Sequence, residues 1–189
     1  MSKSVFTVKA VAGLVFLAAT GSAFAASGST PQTVQGGTIN FTGSVIDAAC
    51  AVDINAETQN INLGQVRLAE LDSKGATSAE VPVKIQLDDC DSSVATTASF
   101  GFNGQTDEND PTSLNNTSSD AGAAKGVGVQ MKDATSGIVA FDGSFGDGSK
   151  LTLIDGTNVA SFSAYMIATS DTPTAGAVSS AVNFNIKYE

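Results

Sequence analysis

Ile39-Asn40-Phe41-Thr42-Gly43-Ser44-Val45 alternates with a period of two. Ile39, Phe41, Gly43 and Val45 fall on one face and Asn40, Thr42 and Ser44 on the other, the pattern of a half-buried β-strand. No turn signal ties this strand back to the residues after it. Residues 26–37, just before it, are rich in Ser, Thr, Gly and Gln, and Val34 is their one apolar side chain larger than alanine. That is the composition of a flexible tether. A strand on a loose tether can be lent to a neighbour. Gly43 points the same way, because a glycine inside a strand gives up packing and is best accounted for by another backbone passing close to it.

The chain opens with Lys3 and Lys9, an apolar run from Ala10 to Ala19, and the small-x-small triplet Ala23-Phe24-Ala25. This order describes a removable secretory signal over residues 1–25. A membrane anchor is the competing reading, but the apolar run is too short for a span that needs about twenty residues. The remainder has the length of one ordinary domain plus a tether, expected as an N-terminal extension over 26–46 and a domain over 47–189. The formal charge of −10 falls by two more when the leader, with its two lysines and no acidic residue, is removed. Such a balance argues against nucleic acid or an anionic membrane as a partner.

Cys50 and Cys90 are the only cysteines of a chain bound for an oxidising compartment, so an intramolecular disulfide is expected between them. A metal or redox site lacks partners: the chain has no histidine and no Cys-x-x-Cys.

Beyond the tether the sequence predicts about ten short strands separated by turn residues. The runs are Ala51–Ile54, Asn60–Leu63, Val81–Leu87, Phe100 with Phe102, Val127 with Val129, Ile138–Phe141, Leu151–Ile154, Val159–Ala168 and Ala181–Tyr188. Pro82 suits a strand start or edge. Asp142-Gly143, Asp147-Gly148 and Asp155-Gly156 are expected as turns. Partial helix is expected only at Val66–Leu71, and Gln105–Lys125 is expected as a long exposed loop. The pattern is that of an antiparallel β-sandwich. With no tryptophan in the chain, phenylalanine must supply the aromatic core.

The chain offers little chemistry. Without histidine there is no Ser-His or Cys-His pair, so no catalytic residue is assigned, and no cofactor or metal site is expected. Asp88, Asp89 and Asp91 flank a cysteine and are best read as solvated carboxylates. Asp107, Asn109 and Asp110 resemble calcium ligands in type but not in EF-hand spacing. Asn40-Phe41-Thr42, Asn115-Asn116-Thr117 and Asn116-Thr117-Ser118 match the glycosylation acceptor pattern at a frequency expected by chance.

At the other end Val182, Phe184, Ile186 and Tyr188 alternate with Asn183, Asn185, Lys187 and Glu189, an amphipathic strand at the end of the sequence. Several short motifs now combine: Gly36-Gly37-Thr38-Ile39 and Gly43-Ser44-Val45 ahead of Cys50, Leu63-Gly64-Gln65-Val66-Arg67, Gly75-Ala76-Thr77-Ser78, Ile85-Gln86-Leu87-Asp88-Asp89-Cys90-Asp91, Gly126-Val127-Gly128-Val129-Gln130, and the terminal pair Gly176 and Tyr188. Taken together they resemble the subunits of chaperone-usher pili, in particular the type 1 fimbrial major subunit, over essentially the whole of the chain after the leader.

The resemblance implies an all-β, incomplete immunoglobulin-like β-sandwich that lacks its final strand and is completed by strand donation from a neighbouring subunit. It implies a structural subunit of a fimbria, with a periplasmic chaperone, an outer-membrane usher and other pilin subunits as partners, exported through the periplasm to the cell surface. By position, Ile39, Phe41 and Val45 would fill groove pockets with Gly43 at the close approach. Gly176, Val182, Phe184, Ile186 and Tyr188 would border the groove and meet the chaperone. A minor adaptor subunit and a secreted carbohydrate-binding adhesin are the alternatives; the second would need room for an added lectin domain.

Overall fold

The computed structural model describes residues 31–189. The expected leader over 1–25 and the first part of the tether lie outside the described residues. The chain divides after Gly43, and Ser44–Glu189 is the folded domain.

The domain is a two-sheet sandwich. Its strands are β1 (Ala51–Val52), β2 (Val81–Cys90), β3 (Thr97–Gly104), β4 (Val127–Lys132), β5 (Asp142–Thr152), β6 (Gly156–Ala168) and β7 (Val182–Tyr188). One sheet has the order β1-β2-β6-β4 and the other β5-β3-β7, and every neighbouring pair is antiparallel. Alternation decides which side chains meet between the sheets: Val83, Ile85 and Leu87 of β2 are buried, while Pro82 and Lys84 are exposed. Pro82 sits where β1 does not reach, since β1 covers only Leu87 and Asp88, so its missing N–H leaves no gap in a ladder.

Phenylalanine does fill the place of the absent tryptophan. Phe162 of β6 meets Phe100 and Phe102 of β3 edge-on, with ring centroids 5.7 and 5.0 Å apart, which couples the two sheets at the centre of the core. A disulfide joins Cys50 to Cys90 at one end of this core, and both residues are buried.

The described residues form seven strands rather than about ten. Leu151–Ile154 is not a separate strand, because Leu151 and Thr152 continue β5, and Ile138–Phe141 makes only an isolated bridge to Lys132. Asp142-Gly143 and Asp147-Gly148, expected as turns, lie inside β5. They coincide with irregular pairing to β3, so glycine here serves bulges and not chain reversal. Asp155-Gly156 is a true turn, with Gly156 at φ +89°. Helix is confined to a 3-10 turn at Leu68–Glu70 and a four-residue α1 (Ile54–Glu57), whose first turn is capped by the Asp53 carboxylate accepting from the Asn55 N–H at 2.8 Å.

The stretch 105–125 is a loop, but it is anchored and not simply exposed. Leu114 is buried and exchanges hydrogen bonds with Val129 of β4, at 2.7 Å from its N–H and 3.0 Å to its carbonyl. Asp107, also buried, accepts from the Thr169 hydroxyl at 3.2 Å and from the Asn109 N–H at 2.8 Å. These bonds cap the outer edge of β4 and satisfy a carboxylate that composition alone marks as solvated.

Candidate strand-acceptor groove

Strand β7 is paired on one side only. The N–H of Glu189 donates to the Thr97 carbonyl at 3.0 Å and that of Thr97 to the Glu189 carbonyl at 2.9 Å, so Thr97 and Glu189 form a bonded pair. Counting back along the register by twos, Lys187, Asn185 and Asn183 also bond to β3. The backbone groups of Val182, Phe184, Ile186 and Tyr188 therefore point away from β3. Among the described residues no strand pairs with them.

The same four residues turn their side chains toward the core and stay only half-buried. In a closed sandwich they would be covered. Here they face a groove of about 1350 Å³ floored by Val83, Ile85, Phe102, Val129 and Met131. Its opposite lip is residues 58–66, which include the stretch Asn60–Leu63 expected as a strand. No strand forms there, and among the described residues the backbone of Gln59–Val66 makes no backbone hydrogen bond. The residue types suit an extended chain, but the neighbour to pair with is missing. An apolar trough bounded on both sides by unpaired backbone is shaped to receive a β-strand.

Of the site residues named from the sequence, Gly176, Val182 and Phe184 line the groove, and Ile186 and Tyr188 continue the same face beyond it, packed on the core. The Tyr188 hydroxyl reaches the Cys50 carbonyl at 3.4 Å, and partial burial raises its pKa above the ordinary 10.0. Gly176 is where only glycine fits: a Cβ there would overlap the Gly122 carbonyl and the Ala124 N–H.

Ile39, Phe41 and Val45 are fully exposed, Phe41 at 89%. The strand expected at Ile39–Val45 is not formed in the isolated chain, whose residues 31–47 carry no assigned secondary structure. Nor does any atom lie within 4 Å of a Cβ built on Gly43, so the close approach expected there is absent within the chain. Both differences have one reason: a strand without a partner has no ladder to join.

Sequence reasoning missed two features. One is the lip at 58–66, which alternation describes as a strand whether or not a partner exists. The other is Asn116, whose amide joins two loops. Its signal is hidden by the surrounding run of Asn, Ser and Thr.

No grouping of metal-ligating side chains is present among the described residues. Five exposed carboxylates, those of Glu80, Asp91, Asp142, Asp155 and Glu189, are held below their ordinary pKa by hydrogen bonds from Lys132, Ser93, Ser144, Ser92 and Lys187 respectively. Each belongs to a turn or surface pair and not to a pocket of converging groups.

The domain thus defines a class: an open β-sandwich that presents a strand-shaped vacancy. Residues 39–189 match the family model described as Fimbrial protein. The fimbrial subunit type 1 of Salmonella typhimurium is 41% identical over 180 residues, covering 95% of each chain. The type-1 fimbrial protein A chain of Escherichia coli is 44% identical over 161 residues, covering 85% of this chain and 86% of that one. A solved chaperone-usher pilus, studied for the molecular basis of rod uncoiling, superposes with a TM-score of 0.70 at 29% identity, covering 85% of this chain and 100% of its own. This chain belongs to the fimbrial protein family, as a structural subunit and not an enzyme.

Proposed function

We propose that this subunit builds the rod of an adhesive fimbria by lending Ile39–Val45 to the groove of the next copy, where it runs beside β7 as the strand the sandwich lacks. One observation supports this above others: a single chain carries both an apolar strand-length segment without a partner and an apolar groove bordered by unpaired backbone. Ile39, Phe41 and Val45 occupy the groove, and Gly43 meets the neighbour's backbone at close range. That Gly43 touches nothing within its own chain agrees with a role in the assembled joint.

Burying the three side chains contributes roughly 1.5–3 kcal/mol each, and every ladder hydrogen bond about 0.5–1.5 kcal/mol net. The joint is accordingly tight even after association costs. Before assembly a periplasmic chaperone covers the groove and its border, Gly176, Val182, Phe184, Ile186 and Tyr188, and exchange for the donated strand takes place at an outer-membrane usher. The fibre stands on the bacterial surface. The extension is residues 26–46, freed when the leader over 1–25 is cut, and the accepting domain is 47–189.

Three variants test the joint. Phe41→Asp places a charge in an apolar pocket and Gly43→Leu pushes a side chain into the neighbour's backbone, whereas Thr42→Asp lies on the opposite face. The first two are expected to fold and form the Cys50–Cys90 bond yet give no SDS-resistant ladder in unheated gels, while Thr42→Asp gives one. A normal ladder from Phe41→Asp would rule out this strand as the polymer joint. Electron microscopy of cells lacking the chain is expected to show no shafts; intact shafts with altered tips would identify a minor subunit instead.

A further inference from the structure

One wall of the groove is made by residues 174–181, which enter β7 directly and form no strand of their own. Val178 is the only large apolar side chain in this wall, so burial holds little of it. Hydrogen bonds do the rest, and they converge on the loop 115–125. The Asn116 side-chain amide donates from Nδ2 to the carbonyls of Ala124 and Ala177, both at 2.9 Å. Its Oδ1 accepts from the N–H of Ser179 at 2.9 Å and of Ser118 at 3.1 Å. The donor and acceptor capacity of one amide is thereby fully used.

The flanking residues complete the seam. Thr117 donates from its N–H to the Ser179 carbonyl at 2.7 Å, and the Ser180 hydroxyl donates to the Asn115 carbonyl at 2.7 Å. Ala124 donates its N–H to the Ala177 carbonyl at 3.0 Å. Among the described residues, Asn116 is the one side chain that bonds both the 122–124 stretch, against which Gly176 is packed, and the wall itself.

We infer that Asn116 is a positioning residue for strand acceptance: it holds the 174–181 wall at the spacing an incoming strand needs where β7 begins. It never touches the donated strand. The inference rests on the proposal that the groove receives such a strand, and it assigns to this chain a determinant of how fast the strand is seated. The same bonds leave the Asn116 amide committed to the fold and not free for modification.

The test uses the purified full chain and a fluorescent synthetic peptide spanning Gly36–Ile46. Asn116→Ala removes every bond of the amide, and Asn116→Asp keeps the acceptor half while losing both donors. Peptide uptake is expected to slow about tenfold in Asn116→Ala, with Asn116→Asp intermediate. Amide hydrogen exchange in the same samples, read without peptide, should quicken at Ala177, Ser179 and Val182 and stay unchanged in β2 and β6. Wild-type uptake rates in Asn116→Ala overturn the inference and leave the groove proposal standing. Loss of protection spread evenly over β2 and β6 also overturns it, by making Asn116 a general folding residue. No uptake by the unsubstituted chain overturns the groove proposal and, with it, this one.

Discussion

Gly176 shows how a single residue can be named correctly for one role and prove to have another as well. A terminal motif marks it as part of a recognition border. In the folded chain it also sits where the backbone of residues 122–124 passes too close for any side chain. Gly176→Ala is expected to lower stability by about 1–3 kcal/mol, since the Cβ meets backbone that cannot rotate away; a denaturation midpoint equal to that of the unsubstituted chain would contradict the close approach. The surface carboxylates supply a second residue-scale expectation. Asp91, Asp155 and Glu189 have folded pKa values depressed below their ordinary 3.8, 3.8 and 4.5 by hydrogen bonds from Ser93, Ser92 and Lys187. A depressed folded pKa contributes stability that is present above the unfolded value and is lost as pH falls through the folded one. The urea midpoint should therefore be flat from about pH 8 to about pH 5 and fall only below about pH 4, with no histidine to add a step between. A transition near pH 6 would point to a group outside this set.

At the scale of elements, the two ends of the domain are tied together where β1, β2 and β7 meet. The Cys50–Cys90 bond closes the β1–β2 connection, and the Tyr188 hydroxyl reaches the Cys50 carbonyl from β7. Cys50→Ser or Cys90→Ser is expected to remove roughly 4 kcal/mol from a sandwich already short of a strand, so that periplasmic yield falls through proteolysis. Assembled fibre at unsubstituted levels would show that the bond is dispensable. The last two residues of β7's run separate packing from charge. Tyr188→Ser removes a half-buried ring, whereas Glu189→Gln affects only exposed pairs with Lys150 and Lys187 and leaves its backbone bonds to Thr97 in place. Co-purification with the chaperone should fall for the first and not for the second; equal recovery would place the chaperone contact elsewhere.

The whole molecule behaves as a sandwich whose stability is divided between its own strands and one it does not hold. Filling the groove should therefore raise the melting temperature in a concentration-dependent way, because any ligand bound only by the folded state stabilises it by mass action. The Gly36–Ile46 peptide at a hundred times its dissociation constant is expected to add about 2.7 kcal/mol. A peptide with Phe41 replaced by Asp should shift the melting curve far less at the same concentration. An equal shift from both peptides would mean that the effect does not come from pocket filling.

Alternation alone determined that this is an all-β chain, that Val81–Leu87 and Val182–Tyr188 are strands with one apolar face each, and that Ile39–Val45 has the residues of a strand with nothing in its own sequence to pair with. Those are local facts, carried by which side chains share a face, and they survive in any tertiary arrangement that buries the apolar side. Tertiary structure alone decided which edges stay open. Residues 60–63 have the pattern of a strand and remain unpaired, Leu114 in a polar loop bonds to β4, and the glycines of β5 bulge a strand instead of ending it. An edge is open or closed according to which backbone lies beside it, and that neighbour comes from a distant part of the chain whose approach no local pattern records.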